Sequence, residues 1–288
     1  MPALHSIESC LTLAAIALQR VGDSARLDAE VLLSHVLQRN RTYLYAYSET
    51  LVDEAIERQF FQYVARRKNG EPVAHLTGCR EFWSLPLSTN ASTLIPRPDT
   101  ELLVEIALRV CTKTSARVLD LGTGTGAIAL ALATEKSSWA IDAVDRQRDA
   151  VWLAQHNTEN LALRNVRVYE SYWFSAVATE QCFDMIISNP PYIATDDKHL
   201  LEGDVRFEPR SALVADDDGY ADLFFIAREA KSYLCNNSYL LLEHGFTQGE
   251  KLCAYLRECG YSDVQTERDY GGNERVTWAV WKGDVAHG

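Results

Sequence analysis

The chain has 288 residues, 47% of them apolar, which suits a globular protein of two domains with a sizeable core. Eight prolines and fifteen glycines exclude a collagen-like repeat and argue against low-complexity disorder. The formal net charge of −12 falls entirely in residues 81–288, with 19 basic and 31 acidic side chains, and so acidic a surface argues against a nucleic-acid partner.

Residues 1–70 predict a helical domain. Apolar residues recur at helical spacing between Ile7 and Leu18, and residues 22–24 end this helix and cap a second one. A third helix runs from about Val52 to the basic run at residues 66–68. That run fits either a nucleic-acid patch or cations that complement the C-terminal end of a helix dipole, and we favour the latter.

Residues 71–98 are punctuated by prolines and by Gly78, which predicts a β-hairpin or extended linker and not a helix. From Asp99 onward, strands and helices alternate, which predicts a doubly wound, mostly parallel sheet. The candidate strands are Arg117–Leu121, Ala140–Val144, Val166–Tyr169, Asp184–Ser188, Tyr239–Glu243, Asp263–Thr266 and Arg275–Trp281. The candidate helices between the early strands are Ala127–Ala133 and Arg148–Asn157. The last two strands are joined too closely for a crossover helix and should be antiparallel neighbours.

A glycine-rich turn follows the first of these strands. Gly122, Gly124 and Gly126 permit close approach of a ligand, and the helix that follows offers free N–H groups to an anion. The turn satisfies both the dinucleotide fingerprint GxGxx[G/A] and the pattern DxGxGxG, which begins at Asp120. Asp145, 19 residues after Gly126, suits ribose hydroxyls in either a nucleoside or a dinucleotide, so it leaves the two open.

The fourth strand is followed by Asn189-Pro190-Pro191-Tyr192. Ligands of open α/β sheets bind beyond the carboxyl ends of strands, where this tetrapeptide lies. The prolines lack N–H donors, so carbonyl oxygens stay available, and the Asn189 side chain adds a second acceptor. With Tyr192 as an aromatic wall, this arrangement suits a planar NH2 group. A rigid turn without a ligand is the alternative when the motif is taken alone.

Seven scattered cysteines without a CxxC pair predict reduced thiols rather than a disulfide framework or a zinc site. The histidines show no metal spacing, and His244 is expected to be structural. The first residues lack a basic signal-peptide region, and the apolar stretch at residues 11–18 is too short to span a bilayer. We therefore expect a cytoplasmic protein without a membrane partner or a metal, and a monomer.

Together the two motifs resemble those of class I methyltransferases acting on planar nitrogen, and the chain resembles more closely the PrmC/HemK family of release factor glutamine methyltransferases. The likeness rests on the helical N-terminal domain and on residues 70–83, 94–105, 120–133, 189–193 and 207–219, which read GEPVAHLTGCREFW, LIPRPDTELLVE, DLGTGTGAIALALA, NPPYI and FEPRSALVADDDG.

The resemblance implies a class I methyltransferase fold: a seven-stranded sheet with an antiparallel last strand, and a small N-terminal helical bundle joined by a β-hairpin linker. Residues 1–70 would dock the release factor, residues 71–98 would form the linker, and residues 99–288 would form the domain that uses S-adenosyl-L-methionine and releases S-adenosyl-L-homocysteine. The implied cofactor-binding residues are Gly122, Thr123, Gly124, Thr125, Gly126, Asp145, Trp173 and Asn189. Ordinary core burial is the alternative for Trp173.

The implied substrate-binding residues are Asn189, Pro190, Pro191 and Tyr192, and the implied catalytic residues are Asn189, Pro190 and Tyr192. The expected reaction methylates the side-chain amide nitrogen, N5, of the glutamine in the Gly-Gly-Gln motif of class I peptide chain release factors, which modulates translation termination. Asn189 Oδ1 and the Pro190 carbonyl would accept the two N–H groups of that amide. The segment 94–105 should lie near the cofactor pocket, although Arg97 and Asp99 also fit a local ion pair. Glu208 should order a loop over the site.

Two other functions stay open on the residues. The amine could belong to adenine or guanine in a nucleic acid, which the acidic C-terminal part disfavours because it contains no basic, aromatic-interleaved tract. The turn could instead serve a nicotinamide-dependent oxidoreductase, which would need a proton donor where this chain has asparagine and proline.

Overall fold

A computed structural model describes residues 4–283 of the chain and separates them into two compact units. Unit 1 contains the residues up to Cys79 together with Lys198–Phe207, and unit 2 contains Arg80–Asp197 and the residues from Glu208 onward. The chain therefore passes from one unit to the other three times. No helix within residues 4–283 combines the length and apolar character that crossing a bilayer requires.

Unit 1 is helical. Its helices are α1 (Ile7–Leu18), α2 (Ala25–Leu37), α3 (Arg41–Ala46), α4 (Glu54–Lys68) and α5 (Val73–Thr77). Ser6 caps α1 by accepting a hydrogen bond from the backbone N–H of Ser9, and Asp53 caps α4 in the same manner through Ala55. Apolar side chains from α1, α2 and α4 meet in one core, in which Phe60 and Leu32 are fully buried.

Helix α5 contradicts the expectation that residues 71–98 hold no helix. Pro72 stands at its N-cap, and Gly78 ends it with a φ of +68°. Proline is common at the start of a helix and glycine just after its end. Pro72 and Gly78, which argue against a long helix here, therefore mark the two ends of a short one. The predicted hairpin follows directly, as β1 (Cys79–Phe82) and β2 (Leu85–Ser88).

Arg67, in the basic run of α4, is buried in unit 1 rather than presented to solvent. Its Nε donates to Asp28 of α2 at 2.7 Å, and its Nη1 donates to Asp204 at 2.8 Å. Only 7% of Arg67 is exposed and Asp28 is similarly buried, so this pair lies in a poorly hydrated place, whereas the side chain of Asp204 is about one-third exposed. The bond to Asp204 attaches residues 198–207 to the helices of unit 1. In the sequence, this segment lies between two stretches that belong to unit 2.

Unit 2 is a seven-stranded sheet in the order β5-β4-β3-β6-β7-β9-β8. The strands are β3 (Arg117–Leu121), β4 (Ala140–Asp145), β5 (Val166–Glu170), β6 (Phe183–Ser188), β7 (Leu234–Glu243), β8 (Ser262–Arg268) and β9 (Glu274–Trp281). Strands β3 to β7 pair in parallel, and β9 runs antiparallel between β7 and β8. The predicted sheet and its antiparallel last strand are confirmed.

Helices cover both faces of this sheet. They are α6 (Glu101–Val110), α7 (Ala127–Glu135), α8 (Arg148–Asn160), α10 (Ala221–Glu229) and α11 (Gly249–Glu258), and the short turn α9 (Asp216–Gly219) precedes α10. Successive strand residues enter different cores: Met185 of β6 packs with α6 and α7, whereas Ile186 packs with α10 and α11. This alternation explains why the parallel strands read as unbroken apolar runs.

The sequence prediction of reduced thiols is wrong for Cys182 and Cys235, which form a disulfide. Phe183 and Leu234 are partners in the pairing of β6 with β7. Cys182 and Cys235 each lie one residue from this pair, and their Cα atoms are 5.1 Å apart. A separation of 53 residues conceals the pair, since only strand pairing brings it together.

Candidate functional site

A cleft in unit 2 lies beyond the carboxyl ends of β3, β4 and β6. It has an empty volume of about 890 Å³, open mouth included. Its lining residues come from six stretches of chain, within 92–100, 122–128, 145–150, 171–173, 189–191 and 211–212. In the sheet, β3 lies between β4 and β6. From β3 the chain adds β4 and β5 on one side and then crosses to β6 on the other, so the cleft opens where the strand order reverses.

The glycine turn forms one wall of this cleft and requires its glycines. Gly122 has a φ of +71°, and a Cβ there would lie 3.3 Å from the Trp173 ring. Gly126 has a φ of +87°, and a Cβ there would lie 3.0 Å from Leu130. The backbone N–H groups of Gly122 and Thr123 both donate to the carbonyl of Val144, which holds the turn against the end of β4.

Asp145 binds the turn from the end of β4. Its two carboxylate oxygens accept backbone N–H groups of Gly124, at 3.0 Å, and of Gln147, at 2.9 Å. Burial raises the pKa of Asp145, and these two N–H groups oppose the increase. Each oxygen keeps a further lone pair for a hydroxyl group on the cleft side.

Asp120 lies deeper, fully buried beneath the turn, and accepts the Thr123 hydroxyl at 2.6 Å. Burial raises the pKa of Asp120 to about 7, against the hydrogen bond from Thr123. Asp120 does not line the cleft, so its contribution is to brace the turn.

Trp173 lines the cleft and is 7% exposed. Its φ of +48° is rare for a residue with a large side chain. The ring packs on Gly122 at one side and joins the core beneath α10 at the other. Core packing and a position at the cleft, which are alternatives on the sequence, therefore occur together in this residue.

Asn189 follows β6 and lines the same cleft. Its Nδ2 group donates to the hydroxyl of Thr100 at 3.2 Å. Since one end of the amide is engaged in this way, its Oδ1 atom is the end that stays available as an acceptor.

The rest of the tetrapeptide is distributed around the cleft. Pro191 lines the cleft, whereas Pro190 is buried and Tyr192 is not among the lining residues. The Tyr192 hydroxyl donates to Glu243 at 3.3 Å, and the Tyr192 carbonyl accepts from Gln248 Nε2 at 3.2 Å. Of the predicted site residues, the cleft therefore brings together Gly122, Thr123, Gly124, Thr125, Asp145, Trp173, Asn189 and Pro191, and leaves Gly126, Pro190 and Tyr192 outside its lining.

Glu208 orders one edge of the cleft. Its carboxylate accepts the backbone N–H of Ile95 at 3.0 Å and the Arg97 guanidinium at 2.7 Å. Arg97 lines the cleft, so the segment around it is positioned as expected. Arg97 engages Glu208, and Asp99 lies 3.5 Å from Arg275, so the local ion pair between Arg97 and Asp99 that the sequence leaves open is not the arrangement adopted.

Sequence reasoning misses several residues of this site, among them Thr93, Thr100 and Glu243. Thr93 lines the cleft and is 2% exposed, yet its hydroxyl has no hydrogen-bond partner among residues 4–283. A buried hydroxyl without a partner is costly, so a ligand that supplies one fits this place. A threonine in a linker carries no spacing signal that could have identified it.

The cleft offers oxygen acceptors and apolar walls but no metal site. Among the described residues, His, Cys, Asp and Glu side chains form no group of three that could hold a metal ion. Both nitrogens of the fully buried His244 are engaged, with the Gly245 carbonyl at 2.9 Å and the Thr277 hydroxyl at 2.8 Å, and burial lowers the pKa of His244. The expectation that His244 is structural agrees with this placement.

Comparisons with known proteins agree with this geometry. Residues 9–78 match the family described as PrmC N-terminal domain, and residues 98–205 match the methyltransferase small domain. The chain is 55% identical over 277 residues to the release factor glutamine methyltransferase of Shewanella oneidensis, covering 96% of each chain. It is 58% identical over 258 residues to that of Salmonella typhimurium, covering 90% of this chain and 93% of the relative.

A solved methyltransferase structure from Pyrococcus furiosus superimposes with a TM-score of 0.54 at 19% identity, over 76% of this chain and 97% of that one, which supports the fold alone. The methyltransferase fold, the cleft at its switch point and full-length relatives at these identities lead to one family. The chain belongs to the release factor glutamine methyltransferases.

Proposed function

We propose that the protein transfers the methyl group of S-adenosyl-L-methionine to N5 of the glutamine in the Gly-Gly-Gln motif of class I peptide chain release factors, and so modulates translation termination. One observation carries the proposal. Asn189 lines the same cleft as the glycine turn and Asp145, with its amide Nδ2 engaged by Thr100 and its Oδ1 available. An acceptor for an amide therefore borders a pocket suited to a nucleoside.

The residues of the cleft fit this cofactor. Asp145 would accept the ribose hydroxyls, the turn at 122–126 would carry the methionine part, and Trp173 would pack near the adenine. The unpartnered hydroxyl of Thr93 fits a polar group of the same ligand. When bound, the cofactor supplies an electrophilic methyl group on a positively charged sulfur.

The chain's own task is to make an amide nitrogen reactive. That nitrogen is a poor nucleophile because its lone pair is delocalised into the carbonyl. Asn189 Oδ1 would accept one of its N–H groups, and the carbonyl of Pro190, which lies between the lining residues Asn189 and Pro191, would accept the other. These bonds orient the nitrogen and stabilise the positive charge that grows on it. Such hydrogen bonds strengthen as the charge grows, so they lower the barrier as well as bind the substrate. The proton then leaves to water.

We propose that the helical residues 1–70 provide the docking surface for the release factor. These residues carry as many acidic as basic side chains, so they present no net repulsion to a protein of either charge. The acidic remainder of the chain disfavours a nucleic-acid substrate at the same cleft.

Mass spectrometry of the release factor after incubation with the protein and S-adenosylmethionine tests the proposal. We expect one added methyl group on the glutamine of the Gly-Gly-Gln segment. Asn189→Ala should leave binding of S-adenosylhomocysteine largely intact, while methyl transfer falls by about 10²- to 10³-fold, since one transition-state contact is lost. Full activity of that variant would refute the role of Asn189.

Parallel incubations separate the other functions. Incubation of the protein with labelled cofactor and ribosomal RNA or DNA should leave the nucleic acid unlabelled. Label in the nucleic acid would show that the protein methylates a base amine instead. A thermal shift should appear with S-adenosylhomocysteine and not with NADH. The lining residues of the cleft include no His, Tyr or Lys that could act as proton donor for hydride transfer.

A further inference from the structure

The orientation of the Asn189 amide depends on a threonine at the start of α6. Thr100 is 4% exposed, and its hydroxyl receives the Asn189 Nδ2 group at 3.2 Å. Thr100 directly precedes α6 with helical φ and ψ of −67° and −18°, and its side chain makes no hydrogen bond to the first turn of that helix. The hydroxyl is therefore used toward Asn189 instead of toward its own helix.

A buried carboxylate lies on the other side of Thr100. Glu243, at the end of β7, is 1% exposed and interacts with the Thr100 hydroxyl, with the Tyr192 hydroxyl and with the guanidinium of Arg275. Thr100 lies close to this carboxyl group, and Glu243 Oε2 has no hydrogen-bond partner among residues 4–283. A buried oxygen in this state favours any nearby O–H that turns toward it.

This arrangement assigns a direction to the hydrogen bonds. A hydroxyl has one proton, so if Thr100 directs it to the ionised form of Glu243, which prevails above about pH 7, its oxygen can only accept from Asn189. Of the two ends of the Asn189 amide, only the NH2 end can then face Thr100, and the Oδ1 end must face the cleft. Without the carboxylate, Thr100 could donate to Oδ1, and the amide could turn its NH2 group toward the substrate.

We propose that Thr100 and Glu243 are positioning residues that fix the Asn189 amide with Oδ1 toward the substrate nitrogen. The proposal rests on the proposed function, in which Oδ1 accepts an N–H of the glutamine amide. Glu243 also accepts a hydrogen bond from the Tyr192 hydroxyl. The same side chain therefore contacts one end of the tetrapeptide 189–192 directly and the other end through Thr100. Neither residue lies where the tetrapeptide motif would reveal it: Thr100 is 89 residues before Asn189.

Two variants of Thr100 test the proposal. Thr100→Val keeps the shape and removes the hydroxyl, whereas Thr100→Ser keeps the hydroxyl. We expect Thr100→Val to lower kcat for release-factor methylation by about 10- to 100-fold. Losses of this size are typical when a side chain that orients a metal-binding residue is removed, and Thr100 orients Asn189 in the same manner. Its affinity for S-adenosylhomocysteine should stay near that of the wild type, and its Tm should fall by about 2–4 °C because the Asn189 Nδ2 group loses its buried acceptor. Thr100→Ser should retain most of the wild-type kcat.

Two results would overturn the proposal. One is a wild-type kcat in Thr100→Val, and the other is an equal loss in Thr100→Ser, since the latter would indicate packing rather than the hydroxyl. A double-mutant cycle adds a third check: in an Asn189→Ala background, Thr100→Val should cause no further loss, because its effect passes through Asn189. Independent, additive losses would contradict it.

Nuclear magnetic resonance gives a readout that needs no substrate. The Nδ2 protons of Asn189 should exchange slowly with solvent in the wild type and in Thr100→Ser, and faster in Thr100→Val and Glu243→Gln. Unchanged exchange in both of the latter would overturn the positioning role. If the wild type held the amide in this way yet left the release factor unmethylated, the proposed function alone would fail.

Discussion

Asp120 shows how one buried side chain links the glycine turn to the pH of the solution. Its carboxyl group is fully buried, and burial raises its pKa to about 7, far above the value of about 3.9 in an unfolded chain. Between these two pH values the folded protein binds a proton that the unfolded chain has lost. The free energy of unfolding must therefore fall as the pH rises through this window, and level off above it.

Asp120→Asn removes this titration. We expect the curve of unfolding free energy against pH to be flatter in the variant between about pH 4 and 7, by up to about 1.4 kcal/mol per pH unit. Urea denaturation at several pH values measures this slope. Glu243, whose pKa burial also raises to about 7, contributes the same sign in both proteins and cancels in the comparison. Parallel curves for the two proteins would contradict the prediction.

At the scale of elements, the junction of β3 with α7 depends on backbone conformation as much as on contacts. Gly126 has a φ of +87° and faces Leu130, which a Cβ would approach to 3.0 Å. We expect Gly126→Ala to lower the free energy of unfolding by more than the about 1–2 kcal/mol that a left-handed conformation alone costs, because Leu130 must also move. Chemical denaturation measures the loss.

Gly272 provides a matched control for this prediction. It has a similar φ of +83°, lies exposed between β8 and β9, and has no heavy atom within 4 Å of the position that a Cβ would take. Gly272→Ala should therefore incur the conformational cost alone. Equal losses in the two variants would show that the contact with Leu130 adds nothing.

At the scale of the whole molecule, the chain segment 198–207 makes unit 1 discontinuous. Arg67 holds this segment through Asp204 and holds α2 through Asp28. Arg67→Ala should leave these carboxylates without their cation and lower the stability of unit 1 by about 3–5 kcal/mol. Trypsin should then cleave faster within residues 198–207, which limited proteolysis detects.

Arg58→Ala is the corresponding control on the same helix. Arg58 pairs with Glu54 on the surface, where both side chains are about two-thirds exposed, and such pairs contribute little. Its proteolysis should match that of the wild type. If Arg67→Ala were cleaved at the wild-type rate as well, the buried ion pair would not be what holds the segment.

Much of unit 2 can be predicted from local patterns. The pattern predicts strand β3 with its observed bounds, since an apolar run that ends in a glycine turn is unambiguous. It predicts strand β7 only from Tyr239, whereas the strand begins at Leu234, because the polar residues 236–238 near its start lack an apolar pattern. Helix α3 escapes prediction because six residues give too few turns for a period to show.

By itself, the sequence determined the family, the seven strands of unit 2 in chain order, the turn at Gly122–Gly126 and the tetrapeptide at Asn189, because each of these is written in neighbouring residues. Only the tertiary structure decided which distant groups meet: Thr100 and Glu243 at Asn189, Glu208 at Arg97, Arg67 at Asp204, and Cys182 at Cys235. A hydrogen bond or an ion pair depends on distance in space, and strand pairing brings such groups together across long stretches of chain without leaving a spacing that the sequence could display.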